Sequence, residues 1–262
     1  MLSALKRYCL LTGEPWLNRQ DELKLMSTLS QLKLEDLSPS RRKRALRIIE
    51  LVSIIDSMDL SDERQLMKAV MLASGHDGLL RTAELLCGSR VHNILWDMDR
   101  NSFQLELPRS KTHRSGEPEL ITFIDYGPYS AVSLMRRWFD TMGLWKKPQC
   151  TVFPAVSKAG KFNFDKTPSD SWWRKVIKGC CACIGLDSTK FSGHSLRAGG
   201  ATDLFVARVP YYIIKKMGRW KSDAAMLYYR CEEDVEEAVK AAFTRLYMAT
   251  KNKVESWGKH SR

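Results

Sequence analysis

Apolar residues recur every three or four positions through most of the chain, and the spacing falls to two only between Ile94 and Ile124. That change of period confines regular β structure to one place. Ile94, Trp96 and Met98 alternate, then Phe103, Leu105 and Leu107, then Leu120, Thr122 and Ile124, which predicts three short strands in a small antiparallel sheet. Helical spacing predicts helices over 45–60 and 63–72, the second closed by turn chemistry at Gly75 to Gly78, and a helical patch over 79–86. After the strands it predicts helices over 129–143, 169–184, 194–207, 210–217, 223–229 and 234–248. The fold class that follows is α+β, mainly α. No fixed-period repeat stands out.

Residues 2–37 carry two further helical patterns, with Leu23, Met26, Leu29 and Leu32 at near-helical spacing beyond a turn at Gly13, Glu14 and Pro15. Ser38, Pro39 and Ser40 break the pattern, and the basic run Arg41, Arg42, Lys43, Arg44 follows. The domain boundary is therefore placed there, with a small helical unit and basic linker at 1–44 and the main domain at 45–262. The run suits either a solvated helix start or a linker lying against phosphates. The chain's 44% hydrophobic residues suffice for a real core, and its net charge of +12 favours a polyanionic partner, most often nucleic acid. Seven cysteines, an odd and scattered set, argue for a reducing intracellular compartment: the nucleus in a eukaryote, the cytoplasm in a prokaryote. Lys6 and Arg7 interrupt the apolar start, and no stretch approaches the ~20 apolar residues of a membrane span, so neither a signal peptide nor membrane association is expected.

The chemistry begins at Gly193-His194-Ser195-Leu196-Arg197. His194 and Arg197, three apart, share a helix face near an N-terminus that Ser192 is placed to cap. A helix N-terminus favours an anion, Arg197 adds a planar fork for phosphate oxygens, and His194 adds a group that titrates near neutral pH. Downstream the chain reads Met217-Gly218-Arg219-Trp220-Lys221-Ser222-Asp223-Ala224-Ala225-Met226-Leu227-Tyr228-Tyr229-Arg230. Upstream, Gly78-Leu79-Leu80-Arg81-Thr82-Ala83-Glu84 pairs an arginine with an acid three residues on, and Ser110-Lys111-Thr112 falls between the second and third predicted strands. In isolation Arg81 with Glu84 is an ordinary ion pair, Lys111 a charged turn residue and Tyr228 a half-buried aromatic. Their order along the chain resembles the tyrosine recombinase (phage integrase) family, over roughly residues 60–235.

The resemblance implies a tyrosine-recombinase catalytic domain with its small three-stranded antiparallel sheet, preceded by a partial helical core-binding domain. It implies DNA strand cleavage and rejoining for recombination or integration. Tyr228 is the nucleophile, giving a 3′-phosphotyrosyl link. Arg81 and Arg197 hold the non-bridging oxygens, His194 acts as base or proton relay, Lys111 protonates the leaving 5′-oxygen, and Glu84 orients the site. The sequence departs from the family where Arg219, not His or Trp, follows Gly218. Trp220, one place later, is the favoured phosphate donor and Arg219 the alternative, and Tyr229 is the alternative to Tyr228. The Gly-Arg-Trp-Lys-Ser-Asp stretch is similar to integrases of eukaryotic mobile elements. Double-stranded DNA is the expected partner and a homo-oligomer on DNA the expected assembly, with no cofactor, metal or small-molecule substrate. The rival functions are a catalytically inactive DNA-binding relic and type IB topoisomerase-like relaxation.

Two other candidates fall away. Cys180, Cys181 and Cys183 lack a partner pair at zinc spacing, and Cys180 continues the apolar stripe of Trp173, Val176 and Ile177, so buried core cysteines are expected. Gly193-His194-Ser195 has Arg197 where a serine nucleophile elbow requires glycine.

Overall fold

The computed structural model describes residues 43–107 and 119–220. In chain order it contains α1 (Ile48–Asp56), α2 (Glu63–Asp77), α3 (Thr82–Leu85), β1 (Ile94–Asp97), β2 (Ser102–Leu107), β3 (Glu119–Ile124), α4 (Ala131–Met142), β4 (Ala155–Val156), β5 (Phe162–Asn163), α5 (Asp170–Cys183), α6 (Gly193–Val206) and α7 (Tyr211–Met217). The helices expected over 223–229 and 234–248, and those within 2–37, lie outside the described residues.

The strands form the expected antiparallel sheet in the order β1-β2-β3. Its core face is built from cross-strand rows. Leu105 stands opposite Ile94 on one side and Ile121 on the other, and Phe103 stands between Trp96 and Phe123. The Phe103 and Phe123 rings stack at 4.5 Å between centroids, so aromatic contact as well as burial fixes the register. In β3 the alternating Leu120, Thr122 and Ile124 form the outer face: Leu120 and Ile124 are 47% and 68% exposed, whereas Ile121 and Phe123 are buried. Apolar residues occupy both faces of this strand, so period alone does not choose between them. A second, unexpected sheet pairs β4 with β5 in two short strands.

Helix α2 is the centre of the domain. Asp62 caps it by accepting from the N–H groups of Arg64 (2.8 Å) and Gln65 (3.2 Å), an arrangement worth about 1 kcal/mol. From Ala69 to His76 every residue is buried. The helix runs past the expected 63–72 to Asp77 and is closed at Gly78; Gly75 lies inside it, where a Cβ would stand 2.9 Å from Cδ1 of Leu196 on α6, so glycine there serves close packing rather than a turn. Gly199 and Gly200 do the same from α6, where a Cβ would run into the backbone carbonyls of Leu46 and His76 respectively. Two further helices are shorter than expected: α1 begins at Ile48 and ends at Asp56, and the patch over 79–86 is helical only over Thr82–Leu85. In the latter, Leu79 takes a left-handed backbone, φ 47°, that no helix accommodates.

A buried charge network ties four helices together. His76 sits between two carboxylates, with Nδ1 3.0 Å from Asp77 and Nε2 2.9 Å from Asp203. Asp203, on α6, also accepts from Nε of Arg47 (2.5 Å) and from the N–H of Ile48 (2.7 Å) at the start of α1. Asp77 accepts from the Tyr126 hydroxyl (3.0 Å) and from the N–H of Ala131 at the start of α4 (2.9 Å). Burial works against a charged imidazole, but the hydrogen bonds and charges of Asp203 and Asp77 outweigh it and hold His76 up at about 9.

Cys180 and Cys181 are buried as expected, and burial pushes their thiols up to about 11 and about 12. Cys183 is exposed, which corrects the expectation of three core cysteines: it falls on the outer side of α5, away from the Trp173, Ile177 and Cys180 stripe. Among the described residues no helix is long and apolar enough to cross a membrane.

Candidate active site

Two turns distant in sequence meet at the site. The first, after α2, runs Gly78-Leu79-Leu80-Arg81; the second, after α7, runs Gly218-Arg219-Trp220. Gly78 is open at Cα because the Phe123 ring of β3 occupies the space a Cβ would need. Leu79 and Arg219 both have left-handed backbones, φ 47° and 56°, conformations that cost a non-glycine residue on the order of 1 kcal/mol or more and persist only where neighbours impose them.

Two arginines impose them. Arg197, on α6 and only 1% exposed, donates from Nη1 to the carbonyl of Leu79 (2.5 Å) and from Nη2 to the carbonyl of Gly218, and its guanidinium lies 4.3 Å from the centre of the Trp220 ring. Arg219 donates from Nη2 to the same Leu79 carbonyl (3.1 Å) and to Oε2 of Glu84 (2.5 Å), and from Nη1 to the carbonyls of Gly78 (3.2 Å) and Met217 (2.8 Å). Leu79 thus presents one carbonyl oxygen to both guanidinium groups.

Arg81 precedes α3, and Glu84 reaches back to it. The Arg81 N–H donates to Oε2 of Glu84 (2.7 Å) and its Nη1 donates to Oε1. Burial alone raises the Glu84 carboxyl, but the charges of Arg219 and Arg81 and their hydrogen bonds prevail and lower it, so Glu84 is a carboxylate at neutral pH. The Arg81 side chain remains 45% exposed, with its outer edge toward solvent. His194, in the first turn of α6, is exposed as well. The start of α6 abuts α3, since the Cβ position of Gly193 is taken by the Thr82 side chain. The N–H of Ser192 donates to Oγ of Ser195 (3.0 Å), which closes the entry to the helix. Three guanidinium groups, of Arg81, Arg197 and Arg219, to two carboxylates, Glu84 and Glu119 (3.9 Å from Nε of Arg219), leave this corner electropositive and suited to an anion.

No family model matches the chain. A curated relative, the integrase/recombinase XerD homolog of Selenomonas ruminantium, is 24% identical over 208 residues, covering 78% of this chain and 58% of the relative. The chain therefore spans a little over half that protein's length. Among solved structures, XerH site-specific recombinase bound to palindromic difH substrate in a post-cleavage complex matches at a TM-score of 0.57 and 15% identity, over 78% of this chain and 53% of that one. XerA recombinase matches at 0.56 and 16% identity, over 90% and 81%. The chain has the tyrosine-recombinase fold.

On the tyrosine-recombinase fold, the sequence-predicted residues Arg81, Glu84, Arg197, Arg219 and Trp220 come together around the two turns, and His194 stands at the adjoining helix start. Lys111, Tyr228, Tyr229, Arg41 and Arg42 lie outside the described residues. Of the basic run, Lys43 and Arg44 are exposed, and Arg44 is paired with Glu50 (2.5 Å) and lies over the Phe191 ring at 5.4 Å. Sequence reasoning weighed Arg219 only as a phosphate donor and missed that it binds Glu84. It also missed the Leu79 carbonyl, a backbone group that no residue type announces.

Proposed function

We propose that this protein is a tyrosine recombinase that cleaves and rejoins double-stranded DNA at specific sites, with Tyr228 as its nucleophile. The observation that carries this reading is the meeting of the Arg81–Glu84 box with Arg197 at the Leu79 turn, where Arg197 also lies over Trp220, eight residues before Tyr228 in the sequence. The DNA-bound XerH structure supports the same reading at the level of the fold.

In this mechanism the Tyr228 hydroxyl oxygen attacks phosphorus while His194 takes or relays its proton. The P–O5′ bond breaks, and Lys111 protonates the departing 5′-oxygen. Arg81 and Arg197 stabilise the charge that builds on the non-bridging oxygens, Trp220 lines the phosphate site, and Glu84 holds Arg81 in place. The 3′-phosphotyrosyl link keeps the energy of the phosphodiester, so religation by a 5′-hydroxyl draws on neither ATP nor a metal. The basic run Arg41 to Arg44 adds sequence-independent attraction to the phosphate backbone. The enzyme works as a homo-oligomer on DNA, inside the cell.

The test is covalent trapping on nicked suicide substrates drawn from a random library, comparing wild type with Tyr228→Phe and Tyr229→Phe. A denaturant-resistant adduct lost only in Tyr228→Phe establishes the enzyme and its nucleophile. DNA binding without any adduct points instead to an inactive DNA-binding relic, and site-independent relaxation of supercoiled plasmid to type IB topoisomerase activity.

A further inference from the structure

The Arg219 side chain is only 9% exposed. Every hydrogen bond its guanidinium makes among the described residues goes to the protein itself: the carbonyls of Gly78, Leu79 and Met217, and Oε2 of Glu84. Its Nε is buried with no hydrogen-bond acceptor, 3.9 Å from Glu119. Arg219 is placed as a clamp, because two of its partners, Glu84 and the Leu79 carbonyl, are shared with Arg81 and Arg197 respectively. Glu84 divides its two oxygens, Oε1 taking Arg81 Nη1 while Oε2 takes the Arg81 N–H and Arg219 Nη2. Leu79 divides one oxygen between Arg197 and Arg219.

We infer that Arg219 is a positioning residue that couples Arg81, through Glu84, to Arg197, through the Leu79 carbonyl, and so holds the two arginines at a fixed spacing for one phosphate. This rests on the proposed strand-cleavage function. Electrostatics gives the reason for a buried arginine here. With Arg81 as its only guanidinium partner, the Glu84 carboxylate would draw Arg81 fully onto itself, away from a phosphate. Arg219 satisfies half of that carboxylate and leaves Arg81's outer edge for the substrate. Lysine, a single point donor, cannot serve one carboxylate oxygen and three carbonyls at once.

The experiment measures single-turnover cleavage on a trapped substrate together with DNA affinity, for wild type, Arg219→Ala, Arg219→Lys, Arg81→Ala and the Arg81→Ala/Arg219→Ala double variant, each assayed well below its melting temperature. Arg219→Ala is expected to slow cleavage at saturating DNA on the order of a hundredfold with affinity almost unchanged, since a small misplacement of a catalytic group has that effect. The double variant is expected to be no slower than Arg81→Ala, the non-additivity of residues acting through one another. Fully additive losses, or a loss confined to DNA affinity, overturn the inference. A second measurement is independent of activity: NMR titration of the Glu84 carboxyl, expected to move upward in Arg219→Ala. An unmoved Glu84 overturns the coupling whatever the cleavage assay shows, whereas a wild type that forms no adduct refutes the proposed function and leaves the titration to decide the coupling.

Discussion

The guanidinium carbon of Arg197 lies over the Trp220 ring, 4.3 Å from its centre, while its two terminal nitrogens donate to the carbonyls of Leu79 and Gly218. One side chain thus closes the turn after α2 onto the turn after α7. Two effects are expected from Arg197→Ala. Cleavage falls on the order of a hundredfold or more, as for removal of one transition-state donor. Stability also falls, by roughly 1–3 kcal/mol, because the Gly218 carbonyl loses its Arg197 donor while the Leu79 carbonyl keeps Arg219. Arg197→Lys keeps the charge and loses the fork, so it should regain part of the stability and little of the rate. Thermal melts alongside single-turnover rates test this, and a rate for Arg197→Ala within a few-fold of wild type would remove Arg197 from the mechanism.

The His76 network sets a pH dependence of stability. His76 is held up at about 9 in the folded protein, against about 6.5 in an unfolded chain. A raised folded value means that its stabilisation is fully present below about 6.5 and is lost as pH rises through about 9. That loss amounts to on the order of 3 kcal/mol. The melting temperature should therefore decline between pH 6.5 and 9.5. His76→Gln, whose side-chain amide does not titrate, should be less stable at pH 6.5 and show a flatter profile. Parallel profiles for the two proteins would mean that other groups govern the decline.

Two glycines offer opposite outcomes for one substitution. Gly199→Ala drives a methyl group into the Leu46 carbonyl and is expected to destabilise by about 1–3 kcal/mol or more. Gly179, exposed within α5, has nothing within 4 Å of its Cβ position, so Gly179→Ala is expected to stabilise by roughly 0.5–1 kcal/mol. Denaturant melts of the two variants decide it, and equal effects would disprove the close approach of α6 to residue 46.

The outer face of β3 makes a third contrast. Phe123→Ala removes a buried ring stacked on Phe103 and should destabilise by about 3–5 kcal/mol, whereas Ile124→Ser, one residue on, should stay within about 0.5 kcal/mol of wild type. A large loss in Ile124→Ser would restore the opposite face.

That contrast also marks where sequence stops informing structure. The three strands were legible because β-spacing survives only between Ile94 and Ile124, but Leu120, Ile121, Phe123 and Ile124 are all apolar, so the inward face of β3 was decided by partners on β2 that no local pattern names. Of the turn expected over Gly75 to Gly78, Gly78 does close α2, but Gly75 lies within the helix and makes room for Leu196, far along the chain, which no local signal announces. At the site, Arg81, Glu84 and Arg197 were found through their order and spacing. The acceptors that organise them were not, since Gly78, Leu79 and Gly218 act through backbone oxygens.

The burial of α2 from Ala69 to His76 bears on how the chain reaches this structure. A helix with no outward face over that stretch is complete only when α6 arrives from more than a hundred residues downstream to cover Gly75 and accept His76. Until then its apolar surface stands open to other molecules. Folding is therefore expected to be slow and governed by long-range closure, and fragments that end before α6 should aggregate rather than fold.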